Sequence, residues 1–240
     1  MLWRMLCKCD TKVKQWEVDE AGSFDTAVKG SSALSAAIFR NLAEIAVLLD
    51  QYAGALFNDY MKFFDTVDVP TQIDRANRVN FPLAELSIIL AQHLAPRMLQ
   101  HDSACSIPIQ IFRSILAGCA HSINLTRGLL KFDFQNLIDT NLDVTLETFV
   151  DDVPITSYHK SRLHFRNNIV KAARCYTKTC NDLKLVLSGK AYICLSDYKF
   201  TCIVAKALRK EHIFYQPVRS ARDLGITYTA GVLHPHAGAC

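Results

Sequence analysis

The sequence predicts an α+β fold in which antiparallel strands carry packed helices. Three observations lead there. Segments of period-two apolar alternation are interleaved with segments of helical periodicity through all 240 residues. In VTLETFVDDVPI (144–155), Val144, Leu146 and Val150 recur at period two, and Val153 and Ile155 resume after two acids. That pattern reads as a hairpin with Asp151 and Asp152 at or near its tip, and a hairpin requires antiparallel pairing. Half of the composition is hydrophobic and no repeat, low-complexity tract or Gly/Ser linker divides it, so one sizeable core or two subdomains is expected.

The elements follow in order. SSALSAAIFRNLAEIAVLLDQ (31–51) has helical periodicity, with Ser31 or Ser32 as a cap. AGALF (53–57) reads as a short buried strand with Asp59 just beyond it. Asp68 suits the cap of a helix beginning near Pro70, and a further helix starts at Pro82 and continues through LAELSIILAQHL. SIPIQIFRSI (106–115) alternates as a strand would, and a turn at Gly118-Cys119 ends it. NLTRGLLKFDFQNLI (124–138) is helical, followed by the acidic hairpin and an amphipathic helix over 157–180. LKLVLSGKAYICLS reads as strand, SGK turn, strand; SDYKFTCIVAKALRKEH is a helix capped by Ser196 or Asp197. IFYQPV and GITYT close the chain as short strands.

Composition excludes several classes. No apolar run reaches the 18 or so residues of a membrane span, and the apolar stretch in MLWRMLCKCD is too short for a signal peptide, so an intracellular setting, nucleus or cytoplasm, without membrane contact is expected. The nine cysteines are scattered, and Cys7-x-Cys9 lacks both the spacing and the second pair of a zinc site. The net charge of +4 is modest, but no acid falls between Asp152 and Asp182, where Lys160, Arg162, Arg166, Lys171, Arg174 and Lys178 lie. Those cations give the 157–180 helix a basic face, which is either a solvated surface or a nucleic-acid contact.

Two adjacent acids at a hairpin tip suit a solvated turn. They acquire another meaning if the strand ending at Asp59 lies beside them. Asp59, Asp151 and Asp152 would then converge, and clustered anions are costly unless a cation compensates them. Hard Mg²⁺ takes one or two carboxylates plus substrate phosphates, and metal pairs serve in-line phosphoryl displacement. Polymerases fit that description.

The residues also resemble a known family. FVDD (149–152) is similar to the aromatic-x-Asp-Asp signature of reverse transcriptases, and DYMKFFDTV (59–67) to their first catalytic motif. SILAGCAHS (114–122) resembles the Gly-Cys-x-x-Ser form of the nucleotide-pocket motif, LKLVLSGKAYI (183–193) the later lysine-bearing hairpin, and ARDLGI (221–226) the Leu-Gly element near the primer grip. The five pieces stand in family order, in the style of non-long-terminal-repeat retrotransposon enzymes. The resemblance implies a palm-like antiparallel sheet over 53–230, partial fingers or an N-terminal helical region in 1–52, a tail at 231–240 and a thumb absent or truncated. It implies RNA-directed DNA polymerase activity on an RNA template and DNA primer with deoxynucleoside triphosphates and Mg²⁺ or Mn²⁺.

By the same resemblance, Asp59 and Asp151 are the principal metal ligands and Asp152 the supporting acid. Phe64 is the bulky gate over the sugar's 2′ position, although an aromatic there also suits core packing. Gly118 and Ser122 allow backbone to approach the nucleotide. Lys190 offers a proton or charge to leaving pyrophosphate, against the plainer reading of a solubilising turn lysine. Apart from the resemblance, the basic face of the 157–180 helix makes Lys171, Arg174 and Lys178 the expected nucleic-acid contacts, with a solvated face as the alternative. Ala117 and Ile123 stand where the family often has Gln and Pro, and no basic fingers motif is matched in residues 1–50. A non-catalytic nucleic-acid-binding remnant is the alternative. An RNA-dependent RNA polymerase would typically place Gly before the paired acids and lack a bulky residue at the gate, which Val150 and Phe64 argue against.

Overall fold

Helix α1 (Leu2–Glu20) opens the chain, which a computed structural model describes for residues 2–20, 22, 24–27, 50–141, 143–224 and 226–229. Strand β1 (Tyr52–Asn58) is followed by α2 (Phe63–Thr66), α3 (Val69–Arg78) and α4 (Leu83–His93). A small ribbon, β2 (Gln100–His101) and β3 (Ala104–Cys105), precedes α5 (Ser122–Thr140). Then come β4 (Thr145–Leu146), β5 (Val153–His159), α6 (Arg162–Asp182), β6 (Tyr192–Leu195), α7 (Tyr198–Arg209) and β7 (Gln216–Pro217). The ribbon of β8 (Ser220–Asp223) and β9 (Ile226–Thr229) ends the described chain.

The main sheet has the order β4-β5-β1-β6-β7. Every pair in it is antiparallel except β6–β7, which α7 joins as a crossover, so the expected antiparallel sheet is a mixed one. Successive side chains on a strand point to opposite faces. Leu56, Val153, Ile155, Ile193 and Leu195 therefore enter one core with Phe134 of α5, Ile169 and Tyr176 of α6 and Val204 of α7. Ala55, Phe57 and Cys194 face the other way, against Ala221 and Tyr228 of the β8–β9 ribbon. Both faces of β1 are covered, which explains why AGALF reads as a continuous apolar run.

Gly54 has a steric reason to be glycine. A Cβ there would lie 2.6 Å from both the Cys194 carbonyl oxygen and the Leu195 Cα, so β1 and β6 approach too closely for any side chain.

Helix starts obey local chemistry. The Asp68 carboxylate accepts from the Thr71 N–H at 3.1 Å and its hydroxyl at 2.6 Å, capping α3 with Pro70 in the first turn. Asp197 caps α7 by accepting from the Phe200 N–H at 2.6 Å. The helix expected from Pro82 is α4, and α6 starts at Arg162 rather than near 157 because residues through His159 pair in β5.

Two expected strands are absent. In 106–115, Ile109 alone bridges to Arg97, while Ile107 and Phe112 are exposed; alternation there finds no partner strand, and Pro108 removes a ladder donor. In 183–187, only Leu187 bridges, to Tyr60 beyond the end of β1, because β5 and β6 already pair along β1 itself and only the short 59–61 extension is left to it. Helix α1 lies in the N-terminal region expected to be helical, and tertiary contacts hold it: the Trp16 indole N–H donates to the Val79 carbonyl at 2.9 Å, and Val13 is buried in the same core. The predicted 31–51 helix, apart from Asp50 and Gln51, lies outside the described residues, as does the 231–240 tail.

Candidate active site at the end of the central strands

The register of β1 against β5 sets Asn58 opposite Val153, so Asp59 and Asp152 continue outward from one paired end. Asn58 locks this end. Its buried amide donates to the Val153 carbonyl at 2.7 Å, and its side-chain oxygen accepts from the Tyr215 hydroxyl. Behind it, the Tyr176 hydroxyl donates to that of Tyr60 at 2.6 Å, beside a Cys180 thiol that burial pushes up to about 12.

The hairpin expected at the paired acids is formed. Phe149 and Asp152 exchange backbone bonds of 2.9 and 3.1 Å around a two-residue loop, Val150-Asp151. Val150 has a φ of 60°, a left-handed conformation that a β-branched residue adopts only under constraint. The constraint is visible next door. Thr148 accepts from Thr26 N–H and donates to the Phe24 carbonyl, both at 2.9 Å, and Arg127 clamps this segment by pairing with Asp25. A strained turn held from outside thus presents Asp151.

The acids interact. Burial raises the Asp151 carboxyl above its usual pKa of 3.8, its own backbone N–H lowers it, and the Asp59 charge raises it further. Asp59 and Asp152 line one cleft of about 150 Å³ with Phe57, Tyr192, Arg222 and Asp223. Among the described residues no three His, Cys, Asp or Glu side chains form a group that could cage a metal ion. The three-carboxylate cluster expected from the sequence is therefore looser: the Asp59 charge acts on Asp151, and Asp59 shares a cleft with Asp152. Hard oxygen donors in that arrangement suit an ion held by one or two carboxylates, with phosphates completing its shell.

Residues that the sequence did not single out complete the site. Ser188 donates its N–H to the Asp59 carbonyl at 2.8 Å and its hydroxyl to Asp59 Oδ2 at 2.7 Å. The Lys190 N–H donates to the same Ser188 oxygen at 3.1 Å, which places the exposed Lys190 on a turn anchored to Asp59. Arg222 of the β8–β9 ribbon lines the acidic cleft. The signal available for Ser188 was its place in the SGK turn, and for Arg222 its place in ARDLGI.

Phe64 and Gly118 do not line this cleft. Phe64 is half-buried, edge-on to Phe63 at 5.3 Å between ring centroids, and its carbonyl accepts from the Ile115 N–H at 2.7 Å. It joins the 59–67 and 114–122 segments. Gly118 has a φ of 79° in a turn closed by Cys119 N–H to the Leu116 carbonyl at 3.1 Å, a backbone shape that favours glycine. Ser122 is buried, its hydroxyl donating to the Leu116 carbonyl, and the Leu116 N–H donates to His93 Nδ1 at 3.1 Å. Burial, then the nearby His121 and Arg97 charges, hold His93 at about 4, so it stays a neutral acceptor.

The basic helix is α6, packed on the sheet face opposite the β8–β9 ribbon. Arg174 pairs with Glu211, Lys171 donates to the Thr140 carbonyl at 2.9 Å, and Lys178 is exposed.

The chain is similar in structure to the apo telomerase of Candida tropicalis truncated from its C-terminal domain, with a TM-score of 0.60 and 9% sequence identity. The match covers 95% of this chain and 44% of the telomerase chain. No protein-family model matches the sequence, and no curated protein matches it. At that identity the likeness is one of fold alone: this chain shares its α+β architecture with a part of that telomerase chain. No described helix is long and apolar enough to cross a membrane.

Proposed function

We propose that the chain is an RNA-directed DNA polymerase domain of retrotransposon type, extending a DNA primer on an RNA template from deoxynucleoside triphosphates. The observation that carries this is the Asn58–Val153 register, which brings the acids of two segments 90 or so residues apart to one strand end. The polymerase-like fold supports it independently.

Asp59 and Asp151 would hold Mg²⁺ or Mn²⁺, with Asp152 on the cleft wall supplying charge. When bound, the ion would stabilise charge on the phosphoryl oxygens and activate the primer hydroxyl. Arg222, from the ribbon facing the acids, is suited to a primer phosphate. Lys190, on the turn tied to Asp59, would bring an ammonium to the leaving pyrophosphate. Phe64 would wall the sugar's 2′ side, and Gly118 and Ser122 would shape the loop beneath the nucleotide. Lys178, with Lys171 and Arg174, would add a second, weaker contact to nucleic acid.

The looseness of the acid set favours a second reading, a nucleic-acid-binding remnant without catalysis. Primer extension on an RNA template separates the two. Extension that requires Mg²⁺ or Mn²⁺ and is lost in Asp151→Asn is expected; template binding with no extension by the wild type would establish the remnant.

A further inference from the structure

We propose that Ser188 is a positioning residue for Asp59, setting the orientation in which that carboxylate meets a divalent cation. The inference rests on the reading of Asp59 and Asp151 as a cation site. It concerns a residue that no motif of the sequence marks for this purpose.

The Ser188 hydroxyl has one proton and two acceptor positions. The Lys190 N–H occupies an acceptor position at 3.1 Å, and the proton goes to Asp59 Oδ2 at 2.7 Å. One carboxylate oxygen is thus held by the protein while the other stays outside that bond. A carboxylate on a strand end rotates about its side-chain torsions, and a terminal torsion of this kind is broad and weakly restrained. A hydrogen bond from a fixed donor removes that freedom. Outer partners of this sort hold metal-ligating carboxylates in orientation.

The donor is itself fixed without using its side chain. Ser188 N–H donates to the Asp59 carbonyl at 2.8 Å, Met61 N–H donates to the Val186 carbonyl at 2.8 Å, and Tyr60 bridges Leu187. Residues 186–188 are therefore zipped along 59–61 by backbone alone. Removing the hydroxyl leaves the segment in place and frees only the carboxylate and the Lys190 turn. That separation makes the role measurable.

The test is Mn²⁺ binding to the full chain, followed by electron paramagnetic resonance, in the wild type, Ser188→Ala, Ser188→Thr and Asp151→Asn. Ser188→Ala should weaken Mn²⁺ binding by roughly tenfold or more, the scale for losing an outer partner of a metal ligand. Ser188→Thr, which restores the hydroxyl, should return the affinity to the wild-type value. Circular dichroism checks the fold; should Ser188→Ala unfold, Ser188→Cys, close in size but a poorer donor, takes its place with the same expected loss. Wild-type affinity in Ser188→Ala, alongside lost binding in Asp151→Asn, would overturn the positioning role and leave the cation site standing. Equal Mn²⁺ binding by Asp151→Asn and wild type, or none by the wild type, would overturn the site itself and the Ser188 role with it.

Discussion

Asn58 on β1 stands opposite Val153 on β5, and its side chain ties the two strands again by donating to the Val153 carbonyl. The residues one step outward, Asp59 and Asp152, consequently share a cleft wall. The acids are therefore placed by a strand register, and a slip of one residue would turn them to the opposite faces.

Asp151 is expected to be a site where stability and activity oppose each other. Burial, and then the Asp59 charge, raise its carboxyl above the unfolded value of 3.8, so the folded chain keeps the proton to higher pH. Its contribution favours folding below that value and is lost as pH rises through the folded pKa. Asp151→Asn should stabilise the protein at pH 7 by about 0.5–2 kcal/mol, and by much less at pH 3, as read by urea denaturation. A variant that is less stable than wild type at pH 7 would contradict the electrostatic account.

Asp68 should show the reverse dependence. The Lys184 ammonium, then the Thr71 hydroxyl, hold its carboxyl at about 2. That stabilisation is present above the unfolded value of 3.8 and is lost as pH falls through the folded one. Asp68→Ala, which also removes the α3 cap, should cost about 1–2 kcal/mol at neutral pH. Because Lys184 is largely exposed, Lys184→Met should cost less, about 1 kcal/mol at most. Denaturation at pH 7 and pH 2 checks both; a cost for Asp68→Ala that does not shrink at pH 2 would rule out the charge component.

Gly54→Ala is expected to destabilise by about 1–3 kcal/mol, the cost of forcing atoms into a packed region. Its Cβ would meet backbone atoms of Cys194 and Leu195, which cannot swing aside as a side chain would. An alanine variant with wild-type stability by chemical denaturation would mean that β1 and β6 lie further apart than described.

Neutralising Lys171, Arg174 and Lys178 together should reduce the salt dependence of nucleic-acid binding less than three free cations would. Independent phosphate contacts lower the slope of log K against log[salt] by about 0.7–0.9 each. Arg174 is engaged by Glu211 and Lys171 by the Thr140 carbonyl, which leaves the exposed Lys178 as the main contributor. A slope change of about one is expected for the triple variant. A change near zero would make the α6 face a solvated surface only, and a change of two or more would mean that the Glu211 pair opens on binding.

The sequence by itself determined what short-range chemistry decides. Asp68 and Asp197 announce helix starts because a cap acts on the N–H three residues along. The 149–152 hairpin is legible because its period-two flanks and its turn lie within a dozen residues. The order of the resembling motifs is likewise a property of the chain alone. Tertiary structure decided how far alternating segments pair: 106–115 carries the pattern of a strand yet bridges only through Ile109, and 183–187 only through Leu187, where 186–188 run along 59–61 beyond the end of β1. It also decided that Phe24 and Thr26 pair with Thr148 beside the left-handed turn at Val150, and that Ser188 grips Asp59 from 129 residues away. Contacts of that separation leave no local periodicity, because they depend on where the folded core delivers the backbone and not on the residues beside them in sequence.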